Sequence, residues 1–193
     1  MRAAAAVAAC VGLISCRGAV SAQEKPADRQ IAEAVSAAPQ ALREDAAVLG
    51  YRGGELVTLR EGTGQLVCLA DDPDREDFHV ACYHRSLEPF MAIGRRLRAE
   101  GKNRAEVQSA RLAALESGDL RMPDHPAALY TLTGPEDSFD PETGSVTGAH
   151  ALFVVYTPYV TPEQLGVPAR PAAGEPWLML PGTPWAHIMV SRP

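Results

Sequence analysis

The stretch Gly62–His84, GTGQLVCLADDPDREDFHVACYH, decides how the rest of the chain is read. Two cysteines, Cys68 and Cys82, bracket a loop crowded with Asp71, Asp72, Asp74, Glu76, Asp77 and His79. The run reads as a strand, an acidic loop, and the approach to a helix. Whether the cysteines pair depends on the compartment, and the N-terminus speaks to that.

Arg2 precedes an apolar run from Ala3 to Ser15. A bilayer-spanning helix needs roughly 18 or more such residues, so the run is too short to span. A positive start, a short apolar stretch and small residues at a cleavage site form the layout of a secretory signal. Val20-Ser21-Ala22 offers one exit, releasing a chain that starts at Gln23. Leu13-Ile14-Ser15-Cys16 offers another, a bacterial lipobox that would leave a lipid on Cys16. Either way the chain is expected to be exported, to the periplasm or beyond, or held to a membrane by its lipid. Cys10 leaves with the signal, so Cys68 and Cys82 remain as an even pair in an oxidising compartment, where a disulfide is expected. A metal site using both thiolates would lack any CxxC spacing.

Loss of residues 1–22 removes Arg2, Arg17 and no acid, taking the formal charge from -6 to -8. An acidic exported chain argues against nucleic acid as a partner. Hydrophobic residues at 46% suit a globular core, while 16 prolines and 16 glycines require many loops. The expected organisation is a signal at 1–22, a flexible tether at 23–28 and one domain at 29–193.

Working outward, RQIAEAVSAA places Ile31, Ala34, Val35 and Ala38 at helical spacing, with Asp28 as its cap and Pro39 as its stop. Ala46–Tyr51 and Glu55–Arg60 read as strands around Gly53-Gly54. Gln65–Ala70 is expected to pair back on Glu55–Arg60 as a hairpin. Beyond the acidic loop, Ser86 is expected to cap a helix carrying Leu87, Phe90, Met91, Gly94 and Leu97 on one face. Arg95, Arg96 and Arg98 make its far side basic, a solvated face that could answer the acidic loop. Asn103 with Glu106 predicts a capping box for a second helix that ends at Gly118. Strands follow at Ala127–Thr133, Ala151–Thr157, Trp177–Leu180 and Trp185–Val190, with a solvated excursion at Gly134–Gly148 and one helical turn at Thr161–Leu165. The fold expected is α+β, a mostly antiparallel sheet with a helical pair inserted after the disulfide-closed loop.

Three blocks carry a resemblance. Gly62-Thr63 with Cys68-Leu69-Ala70-Asp71-Asp72-Pro73 and Cys82, then Thr147-Gly148-Ala149-His150, then Pro181-Gly182-Thr183-Pro184-Trp185-Ala186-His187-Ile188-Met189-Val190, resemble blocks of a group of uncharacterised exported bacterial proteins. Ala70 and Ala149 stand where proline is expected. The resemblance implies export and a shared fold, and brings no reaction with it.

His150 shares a strand face with Leu152, Val154 and Tyr156, and His187 with Trp185 and Met189. If the two strands are neighbours, the imidazoles could meet at one end of the sheet. Paired imidazoles plus a carboxylate can bind zinc or act as acid and base. Asp71 is the carboxylate nominated, with His79 and His84 as further candidates. The plainer alternative makes each histidine a core residue satisfied by one hydrogen bond, since no HExxH or HxH spacing is present. Five acids in the seven residues 71–77 lack the alternation of a calcium loop and read as solvated surface. GxSxG, SxxK and phosphate-binding glycine motifs are absent. The expectation is a non-catalytic envelope protein that binds a ligand or partner in a sheet-lined pocket, with no cofactor required; zinc or calcium is the cofactor alternative. A metal-assisted hydrolase built on His150 and His187 is the functional one.

Overall fold

The computed structural model describes residues 24–172 and 174–191. The expected signal and the lipidation site Cys16 lie outside them. In chain order the elements are α1 (Ala27–Ser36), β1 (Ala47–Arg52), β2 (Glu55–Arg60), β3 (Leu66–Leu69), β4 (Phe78–His84), α2 (Glu88–Ala99), α3 (Arg104–Ser117), β5 (Ala127–Gly134), β6 (His150–Tyr156), the short α4 (Pro162–Leu165), β7 (Trp177–Met179) and β8 (His187–Ser191). The eight strands form one sheet in the order β2-β1-β3-β4-β5-β6-β8-β7. Every neighbouring pair is antiparallel except β1 with β3. The fold is α+β, as expected.

Helices cover both faces of the left half of the sheet, which is why β3 is buried along nearly its whole length. Val48, Leu66, Cys68 and Cys82 point to α1 and meet Ala34 and Ala38. Their strand neighbours Ala47, Val67 and Tyr83 point the other way and meet Leu87 and Met91 at the start of α2. Cys68 and Cys82 are directly opposite one another in the β3–β4 ladder and are disulfide-bonded, with both side chains fully buried.

The structure corrects several local expectations. Glu55–Arg60 does pair with β1 around Gly53 and Gly54, both at positive φ, as a two-residue hairpin requires. Gln65–Ala70 does not pair back on it. The chain instead crosses the start of β1 and adds β3 on that strand's far side. Gly62 makes this crossing possible: a Cβ there would lie 2.1 Å from the Ala47 nitrogen. The approach to a helix after the acidic loop is in fact a strand, β4, with Cys82 inside it. A 3-10 turn, Arg85–Leu87, then leads into α2, and the residue that caps it is His84, whose Nδ1 accepts from the Ser86 N–H, rather than Ser86.

Asp28 lies within the first turn of α1, whose N-cap is Pro26. The described part of the supposed tether is docked: Glu24 accepts from the Gly53 N–H at 2.6 Å, and Lys25 bonds Glu33 and Asp71 at 3.0 Å each. The 134–148 excursion is solvated at its tip, yet Phe139 is buried against Phe78. The capping box at Asn103 and Glu106 and the left-handed Gly118 form as expected.

Candidate functional site

The register separates the two histidines that the sequence nominates. Thr133 is opposite His150, and Tyr156 is opposite His187, so His150 stands at one end of β6 and His187 of β8 lies beside the other. At ~3.4 Å per residue that is about 20 Å along the strand. They share a face, as alternation requires, and do not meet. His150 is exposed. At its end of the sheet, His79 and Thr133 are paired residues, and the His79 Nδ1 lies 2.7 Å from the Thr133 Oγ1.

Asp71 is already committed there: one oxygen accepts from the His79 N–H at 2.8 Å and the other from Lys25. The acidic loop is therefore answered by Lys25 and, at Asp77, by Arg75, and not by the arginines of α2. Arg95 and Arg96 bond Glu88 and Glu100 of their own helix and its end. His84 is edge-on to His125, and burial together with that neighbour lowers its pKa. Among the described residues no three His, Cys, Asp or Glu side chains are grouped to hold a metal ion.

At the other end of β6 the structure forms a pocket of about 350 Å3, lined by α2, α3, Tyr156 and the Leu180–His187 turn. This lies within the range of small-molecule sites, ~300–1,000 Å3. Its apolar wall is Phe90, Trp185 and Tyr156: the Phe90 ring lies 6.0 Å from Trp185 and 5.8 Å from Tyr156. Its charged lining is Arg98, Lys102, Arg104 and Arg111, and no carboxylate lines it. Arg98, Lys102 and Arg104 stand exposed around the mouth, while Arg111 is buried.

Arg111 is a built feature. It follows Val107 by one turn of α3, so helical spacing sends its guanidinium inward. Nε and Nη2 donate to the Phe90 carbonyl at 3.1 and 2.8 Å, and the guanidinium carbon lies 3.7 Å over the Phe90 ring. Gly94 of α2 supplies the space, because a Cβ there would lie 2.1 Å from the arginine Nη2. Burial, with Arg98 nearby, pushes the Arg111 pKa down to about 10, so a solvating carboxylate is what its surroundings lack. Among the described residues no acid forms an ion pair with Arg98, Arg104 or Arg111, whereas Lys102 pairs with Glu106.

The last wall is set by the turn before β8. Leu180 is held at φ 53, a region that favours glycine, and the Thr183 hydroxyl donates to its carbonyl at 2.7 Å. The turn then delivers Trp185 and His187 to the pocket. His187 is half-buried and donates from Nδ1 to the Trp185 carbonyl at 2.7 Å, which fixes its neutral tautomer with Nε2 unprotonated. Burial lowers its pKa, and the carbonyl bond only partly offsets this.

The sequence reading named one member of this site, His187. Of the site's arginines it placed only Arg98, on a solvated face, where Arg98 is indeed exposed, and it passed over Arg104 and Arg111. The signal available was Arg111, a cation in register with Val107 on the apolar side of its helix, opposite a glycine in the neighbouring one. No protein-family model, curated protein or solved structure matches the chain.

Proposed function

We propose that this is an exported, non-catalytic envelope protein that binds a small anionic ligand in the pocket between α2, α3 and the β6–β8 end of the sheet. The observation that carries the reading is Arg111: a buried guanidinium that lines a pocket with no carboxylate to neutralise it. Leaving a buried charge unpaired is costly, and a bound anion removes that cost. Export rests on the N-terminal sequence; the Cys68–Cys82 disulfide is compatible with it, as is the lack of any described helix long and apolar enough to cross a membrane. The metal-assisted hydrolase would need His150 and His187 together, and strand register sets His187 opposite Tyr156, six residues along β6 from His150.

Trp185 provides the test. In a Trp177→Phe variant it is the sole tryptophan, and it lines the pocket. Benzoate and phenyl phosphate are titrated against benzylammonium and benzyl alcohol. A saturable fluorescence change with an anion, absent with the cation and the neutral compound, supports the reading. Equal response to all four, or none to any, would overturn it. Release of phenol from phenyl phosphate would overturn the non-catalytic part.

A further inference from the structure

Resting on that reading, we propose that the anion is a phosphate group carried on an apolar body, with the phosphate between Arg111 and the arginines of the mouth and the body along Phe90 and Trp185. Charge and shape both lead there. Lys102 has its own partner in Glu106, which leaves three arginines, Arg98, Arg104 and Arg111, to be neutralised by whatever enters. A monocarboxylate carries one charge and would leave the partly desolvated lining strongly cationic. A phosphate monoester carries close to two at neutral pH.

Geometry adds a second reason. The three guanidiniums come from different places: the last turn of α2, the first turn of α3 and the middle of α3. A planar carboxylate satisfies one arginine fork well. A tetrahedral phosphate presents three oxygens and can accept from several guanidiniums at once. The Phe90 carbonyl already takes Nε and Nη2 of Arg111, which orients the group while Nη1 has no partner among the described residues. Beside these cations the wall is aromatic, which suits an organic ester better than free phosphate.

Other clusters were weaker. The second hollow, of about 460 Å3, is lined by Lys25, Arg29, Glu136 and Asp137, whose charges cancel. The His79, Thr133 and His150 row carries no unpaired buried group.

The experiment compares phenyl phosphate, benzoate and inorganic phosphate on Trp185 fluorescence of the Trp177→Phe protein, with vesicles of phosphatidic acid in phosphatidylcholine as a separate arm. The expected result is phenyl phosphate binding at least about tenfold more tightly than benzoate and than inorganic phosphate. The Arg98→Gln/Arg104→Gln double variant, altered only at exposed positions, should keep the wild-type melting temperature and lose about tenfold in phenyl phosphate affinity. Saturation by the vesicles, at lower phosphate than phenyl phosphate needs, would assign the group to a lipid headgroup; saturation by phenyl phosphate alone would assign it to a soluble ester. Either supports the inference. Benzoate binding as tightly as phenyl phosphate, or a double variant with undiminished affinity, would overturn the phosphate assignment and leave the anion pocket standing. Absence of binding by every anion would instead remove the pocket reading itself.

Discussion

His187 shows how one side chain ties the pocket to solution conditions. Its Nδ1 proton is committed to the Trp185 carbonyl, and burial holds its pKa below the ordinary histidine value. The unfolded chain therefore binds the second proton more readily than the native one. Stability due to the neutral imidazole is present in full above about pH 6.5 and is lost as the pH falls through that value to the lowered native pKa. His79 and His84 are shifted in the same direction, chiefly by burial, so acid destabilisation is shared among three residues. His187→Gln, which can still donate near Trp185, should shrink the drop in melting temperature between about pH 7.5 and about pH 5 without abolishing it. An identical drop in the variant would show that this imidazole carries no share.

At the scale of elements, the contact between α2 and α3 rests on an exchange of a glycine for a guanidinium. Glycine inside a helix costs ~0.5–1 kcal/mol relative to alanine, so Gly94→Ala should stabilise α2 if nothing else changed. Here its Cβ would collide with the Arg111 guanidinium and push it off the Phe90 carbonyl, and losing a charged group's hydrogen bonds costs ~1.5–3 kcal/mol. Gly94→Ala should thus destabilise the native protein in urea, yet stabilise it by ~0.5–1 kcal/mol in an Arg111→Ala background. The same sign in both backgrounds would contradict the packing described. The pair also explains what was legible beforehand. Apolar runs such as Ala151–Thr157 announced their strands, and Asn103 with Glu106 announced a helix start, because both signals are local. The passage of Gly62 over Ala46 and Ala47 is a non-local contact, so a hairpin was the natural misreading. The acidic run ahead of Phe78 disguised β4 in the same way. The pocket was hidden because its arginines are scattered over two helices, and only the fold decides which side chains share a cavity.

Across the whole molecule, the sheet runs unbroken from β2 to β7, and the helices lock its two halves together. Leu87 just before α2 and Met91 within it sit in a cluster that reaches from Ala47 and Val67 on the left to Ala127 and Tyr156 on the right. With β4 and β5 paired along six registered positions and this cluster bridging both halves, unfolding should be a single cooperative transition. Two probes, one at an end of the sheet and one near its centre, can test this. Both tryptophans belong to the β7–β8 end, with Trp177 in β7 and Trp185 just before β8. The disulfide lies in β3–β4, fully buried, where a reductant can reach it only when the core opens. It closes a loop of about 15 residues, which the chain-entropy account values at ~3 kcal/mol. The urea midpoint of tryptophan fluorescence should coincide with the urea concentration at which Cys68 and Cys82 become reducible within a short pulse. Loss of the fluorescence signal at clearly lower urea would mean that the β6–β8 half opens alone. The pocket would then be the weakest part of the molecule, because Tyr156, Trp185 and His187 would leave while Arg98 and Arg111 stayed on their helices, and a bound anion should bring the two midpoints back together by stabilising only the closed form.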